Sequence, residues 1–119
     1  MRLCHLNDLP DGASRGFDPR RSGQDTLLVV RQGRRLFAYA DACPHHGTPM
    51  AWRKDAYLNA AGDRIVCAAH GAQFEIHTGR CTLGPCLDEA LVPVRLSIHE
   101  NGEVHIADDN IQQDKETAS

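Results

Sequence analysis

Cys43-Pro44-His45-His46-Gly47 and Cys67-Ala68-Ala69-His70-Gly71 are the two stretches around which the chain is organised. Reduced to their metal-binding side chains they read C-x-H and C-x2-H, with 21 residues between His45 and Cys67. Each offers one soft thiolate and one imidazole, and glycine follows closely behind both. Together they supply two sulfurs and two nitrogens.

Two kinds of metal centre suit that donor set. A tetrahedral zinc accepts Cys2His2, and a two-iron, two-sulfur centre accepts two Cys on one iron and two His on the other. Structural zinc modules usually bring their thiols as a C-x2–4-C pair. Here each loop carries one ligand of each type, and that spacing favours the iron centre. Four unligated residues in surface loops is the bland alternative, and the doubled Cys/His pairing argues against it.

With these residues in view the chain resembles the Rieske family. Members of that family show C-x-H, C-x2-H-G, an aromatic, a T-G turn and a Gly-Pro loop. This sequence has Phe74, Thr78-Gly79 and Gly84-Pro85 in that order, and the likeness covers residues 27–107. The resemblance implies one [2Fe-2S] cluster, with Cys43 and Cys67 on the buried iron and His45 and His70 on the outer one. It also implies an all-β fold, a Rieske-type antiparallel β-sandwich with a small cluster-binding subdomain formed by two loops. A single domain is expected over residues 1–107, with its cluster-binding part at about 41–87.

The family divides by reduction potential. High-potential respiratory members carry an extra Cys in each motif, and the two form a disulfide; the corresponding positions here are Thr48 and Ala69. Those members also place Ser two residues after the second ligand His and Tyr four after, where both hydroxyls donate toward sulfur. Here those positions hold Ala72 and Phe74, which cannot donate. Hydrogen bonds to sulfur are a main tuning lever, and Rieske potentials span about −150 to +300 mV, so the low end is expected. That is the ferredoxin type, suited to accept electrons from a flavin reductase and pass them to an oxygenase.

At 119 residues the chain is sized for one domain with a modest core. No apolar run approaches the eighteen or so residues of a spanning helix, and Met1-Arg2-Leu3-Cys4-His5 does not read as a secretory signal. A soluble, cytoplasmic protein is the expectation. Five cysteines, an odd number, then argue for metal ligation over a disulfide framework. The formal net charge of −3 gives no reason to expect a nucleic-acid partner. Residues 1–35 hold seven Arg against four Asp and residues 85–119 hold eight acids, a polarity able to orient a docking partner.

Along the chain, residues 2–6 alternate as an edge strand. Residues 7–23 are rich in Asp, Gly, Pro and Arg and read as a long surface connection. Thr26-Leu27-Leu28-Val29-Val30-Arg31 is a buried strand, Gln32-Gly33-Arg34 turns it, and residues 35–40 return to deliver the chain to Cys43. Met50, Trp52, Tyr57 and Leu58 are placed to cover one side of the cluster loops. Residues 60–63 form a turn before strand 64–66; strand 73–76 follows the second motif and residues 77–80 turn it. Residues 91–99 and 103–106 alternate about Asn101-Gly102, a strong hairpin signal. Residues 108–119 read as a disordered acidic tail. There is no internal repeat and no helix signal.

Among the remaining candidates, the C-x-H spacing selects His45 over His46. Cys81 and Cys86 flank the Gly84-Pro85 loop and are expected as free thiols. Cys4 reads as a small core residue, and His77, His99 and His105 as solvated or structural. A Rieske oxygenase carries a separate mononuclear-iron domain with a 2-His-1-carboxylate site, and nothing after residue 107 has room for one. The expected protein is therefore a small electron carrier without its own substrate site. The alternatives are a non-catalytic Rieske-like subunit, as in nitrite reductase, and a zinc-stabilised interaction module. The 21 residues between the motifs exceed the spacing common in similar ferredoxins, and the addition at residues 52–63 is placed to shape a partner surface.

Overall fold

The computed structural model of the chain describes residues 2–42, 51, 55–67, 71–84, 87 and 89–107. Within them run nine strands: β1 Arg2–His5, β2 Ser14–Phe17, β3 Leu27–Gln32, β4 Arg35–Ala40, β5 Arg64–Val66, β6 Gln73–Glu75, β7 Cys81–Leu83, β8 Leu96–Ile98 and β9 Glu103–Ile106. They form three antiparallel sheets in the orders β1-β9-β8, β2-β3-β4 and β5-β6-β7. The only helix among the described residues is a single 3-10 turn at Leu6–Asp8, so the architecture is all-β.

β3 explains how the sheets are layered. A strand sends successive side chains to opposite faces, yet Leu27, Leu28, Val29 and Val30 are all buried. Such a run must be covered on both sides. Leu28 and Val30 join Tyr39, Tyr57, Ile65, Phe74 and Cys81 in one core, shared with the β5-β6-β7 sheet. Leu27 and Val29 join Cys4, Phe17, Ala38 and Val104 in a second core, shared with the β1-β9-β8 sheet. The β2-β3-β4 sheet is thus the middle layer, and each of these four side chains contributes about 1.5–3 kcal/mol by leaving water. The expected sandwich is present, and a third small sheet, β5-β6-β7, holds Cys67 just past the end of its first strand.

The connection expected over residues 7–23 is overturned in part. It contains β2, paired with β3 in the register Ser14↔Val30 to Phe17↔Leu27. Ser-Arg-Gly-Phe has no clear alternation, so its strand character comes from the partner it meets. Gly16 is required there, because a Cβ would stand 2.5 Å from the Tyr57 hydroxyl. The 3-10 turn is stapled to the sheet by Arg31, whose guanidinium donates to the carbonyls of Leu6 (3.2 Å) and Leu9 (2.7 Å).

Other expectations hold within a residue or so, except that the strand expected over residues 91–99 is confined to β8, with residues 91–95 outside it save for a bridge at Pro93. β1 is an edge strand, Gly33 turns β3 into β4 at φ +64°, and Gly102 turns β8 into β9 at φ +88°. Cys4 is buried in the second core. β7 has no counterpart among the expected strands. The tail at 108–119 lies outside the described residues.

Three buried acidic groups weaken this fold in alkali. Burial raises the Cys4 thiol, with nearby Asp8 adding to it, and burial raises the Tyr39 phenol, whose hydroxyl donates to the Ile76 carbonyl at 2.7 Å. Tyr57 is raised by burial and by its hydrogen bond to Asp41. Below the ordinary thiol value of 9.0 these groups are protonated in both folded and unfolded chains and contribute no slope. Above it the unfolded chain releases protons that the folded chain retains, so stability falls as pH rises, by up to about 1.4 kcal/mol per pH unit for each group. Urea midpoints measured at about pH 8 and about pH 10.5 should show the drop.

Candidate metal centre

Cys67 and Gly71, the described ends of the second motif, lie between β5 and β6, which pair as a hairpin. Arg64↔Glu75, Ile65↔Phe74 and Val66↔Gln73 pair across it, and the turn at 60–63 precedes it with Gly62 at φ +74°. Beyond Val66 the loop is closed by two backbone bonds: Cys67 N–H donates to the Ala72 carbonyl at 2.8 Å, and Gly71 N–H donates to the Cys67 carbonyl at 2.8 Å. Gly71 takes φ +69°, a left-handed conformation that glycine adopts at little cost. Cys67 is thereby held at the loop's base, fully buried with Ala72 and Phe74 beside it in the first core.

A second segment presses on this base. Gly84 has φ +107°, and a Cβ there would lie 2.8 Å from the Ala72 Cα. Only a residue without a side chain lets the chain leaving β7 approach so closely. Cys81, at the start of β7, is a buried thiol outside any disulfide and donates weakly to the Leu83 carbonyl at 3.4 Å.

The approach to the first motif is fixed by a buried polar clamp. Asp41 N–H donates to the Thr26 carbonyl at 2.9 Å, and the Asp41 carboxylate accepts a 2.6 Å bond from the Tyr57 hydroxyl. Tyr57 comes from the long segment between the motifs, and that segment is itself latched to β2. Gly16 N–H donates to Asp55 Oδ1 at 2.8 Å, and the Ser14 hydroxyl donates to the Asp55 carbonyl at 2.8 Å. Asp55 stands at φ +64°, a conformation strained for a side-chain-bearing residue and sustained by these bonds. Tyr57→Phe removes one hydrogen bond to a buried carboxylate and should cost about 0.5–1.5 kcal/mol. A lower denaturation midpoint with the visible spectrum preserved is the expected outcome.

Of the four expected ligands, Cys67 is described, and Cys43, His45 and His70 lie outside the described residues. So do His46, Thr48, Met50, Trp52, Ala69, Pro85 and Cys86. Tyr57 and Leu58 do pack against the core that holds Cys67. His77 is structural in part, with Nε2 2.7 Å from Gln32 Oε1 and its ring stacked 4.8 Å from Phe37. Sequence reasoning missed the Asp41 and Asp55 roles, because nothing marks an aspartate as a clamp until its partners are in place.

The residues fit a two-iron, two-sulfur group. The donor set supplies two thiols and two imidazoles, and the described thiol is sealed from water in an apolar core beside Ala72 and Phe74.

The Rieske [2Fe-2S] domain model matches residues 1–107. The chain belongs to the Rieske [2Fe-2S] family, and its cofactor is one [2Fe-2S] cluster. It is 31% identical to ferredoxin CarAc of Metapseudomonas resinovorans over 111 residues, covering 90% of this chain and 92% of that protein. The ferredoxin of carbazole 1,9a-dioxygenase from Nocardioides aromaticivorans superposes with a TM-score of 0.68 at 25% identity, covering 90% of this chain and 95% of the other. Apoptosis-inducing factor 3 of mouse and human is 33% identical over 86 residues, which are 72% of this chain and 13% of those proteins. The chain thus spans about an eighth of the length of these last relatives.

Proposed function

We propose that the chain is a small cytoplasmic Rieske ferredoxin that carries single electrons from a flavin reductase to an oxygenase. The observation that carries this reading is the match to ferredoxin CarAc along nearly the whole of both chains. A superposition with the ferredoxin in a complex of reduced oxygenase and oxidised ferredoxin, at a TM-score of 0.69 and 30% identity, supports the same class of acceptor. The likeness to a nitrite reductase small subunit, at 16% identity, is one of fold alone.

In this reading Cys43 and Cys67 hold the inner iron and His45 and His70 the outer one. The domain spans residues 1–107, with the cluster part at about 41–87 and an acidic tail beyond. The bound group supplies a one-electron acceptor whose potential is raised by exchanging two thiolates for neutral imidazoles. Ala72 and Phe74, buried and without hydroxyls, give the extra electron no donor at their positions and keep the potential low. His45 and His70 would give the electron its exit to a docked partner. Cytoplasmic residence is supported by Cys4 and Cys81 as thiols; among the described residues no helix is long and apolar enough to cross a membrane.

Voltammetry on anaerobically purified protein, with its visible spectrum, tests the proposal. A brown protein near the −150 mV end of the Rieske range, reduced by a flavin reductase and reoxidised by a Rieske oxygenase, is expected. A clearly positive potential overturns the ferredoxin assignment, and a colourless protein with stoichiometric zinc overturns the function.

A further inference from the structure

A second donor set lies on the β8–β9 hairpin, on the far side of the middle sheet from Cys67. Val104 points into the second core. Its neighbours Glu103 and His105 therefore share the other face of β9. His99 stands across from them at the end of β8, its N–H donating to the Glu103 carbonyl at 2.8 Å. One strand supplies two donors at i and i+2, and the facing strand supplies a third.

The three side chains converge. One ligand atom from each lies within 4.8 Å of the others. His105 Nε2 is 3.1 Å from Glu103 Oε1, and the His99 and His105 rings stack at 4.0 Å with 13° between their planes. Two donors about 2.1 Å from one ion, at tetrahedral or octahedral angles, lie roughly 3.0–3.4 Å apart. The Glu103–His105 pair already has that separation; the His99 ring has to turn out of its stack on His105 for its nitrogen to meet the same ion, because imidazole lone pairs lie in the ring plane. Two imidazoles with one carboxylate suit a borderline transition ion, whereas Mg2+ and Ca2+ call for oxygen donors.

We propose that His99, Glu103 and His105 form a surface site for a divalent transition ion of the Zn2+ class, separate from the iron–sulfur centre. In the metal-free chain His105 Nε2 and the Glu103 carboxylate share a hydrogen bond of 3.1 Å, and an ion entering between them displaces its proton. Arg2, in the strand paired with β9, approaches the same carboxylate at 3.5 Å and competes with a cation. His5 is engaged elsewhere, its Nε2 2.8 Å from the Asn101 carbonyl oxygen.

Calorimetric titration of the cluster-loaded protein with ZnCl2 under nitrogen tests the site. One Zn2+ per chain is expected, with at least about tenfold weaker binding in H99A and in H105A and tighter binding in R2A. A hundredfold excess of Mg2+ should leave the isotherm in place. The visible spectrum of each variant reports that the cluster and fold persist, so this result is separable from that of the ferredoxin proposal. Absence of stoichiometric Zn2+ binding, an H99A/H105A double variant that binds like the unmodified chain, or displacement by Mg2+ overturns the proposal.

Discussion

Cys67→Ser, purified anaerobically, should emerge colourless, with iron below about a tenth of that in the unmodified protein. The thiol it replaces is fully buried at the base of a loop tied by two 2.8 Å backbone bonds. A serine hydroxyl there stays protonated and is a poor ligand for iron. Since ligand binding and folding are coupled, the β5-β6-β7 sheet should loosen with the metal lost, and proteolysis should cut near residues 67–84. Cys81→Ser and Cys86→Ser are the controls and should stay brown. A brown Cys67→Ser protein, or a colourless Cys81→Ser protein, would show that the ligand assignment is wrong.

The double substitution Ala72→Ser with Phe74→Tyr should move the potential upward by on the order of 100 mV, a fraction of the roughly 450 mV the family spans. Both positions are fully buried in the core that holds Cys67, and Ala72 is hydrogen-bonded to Cys67 through the backbone. Hydroxyls introduced there have no water to satisfy them, so they either donate toward sulfur or destabilise the fold. Voltammetry of the two single variants and the double separates the contributions. An unchanged potential in a stable, brown double variant would sink the hydrogen-bond argument.

How much of this was legible in the sequence depended on whether the signal was local. Leu27-Leu28-Val29-Val30 announces a strand covered on both faces, and Asn101-Gly102 and residues 60–63 announce turns, because period and turn chemistry act within a few residues. The two Cys/His motifs were readable for the same reason: ligand types and spacing are local facts. β2 was not, since Ser14-Arg15-Gly16-Phe17 becomes a strand only through its pairing with β3. Nor was the Tyr57–Asp41 bond, which joins residues sixteen apart in sequence. His99, Glu103 and His105 looked like ordinary polar side chains until the hairpin register put them on one face.

The two-faced burial of β3 bears on how the protein is made. Leu27 and Val29 belong to a core apart from the one that holds Cys67, the proposed iron ligand among the described residues, whereas Leu28 and Val30 share theirs with it. A newly synthesised chain can therefore assemble the β1-β9-β8 side before any iron or sulfide arrives. Amide exchange in the apoprotein should be slow in β9 and fast in β5 and β6, then slow throughout once the cluster is inserted. That pattern would mark half of the molecule as a standing scaffold, with delivery of the cofactor completing the other half.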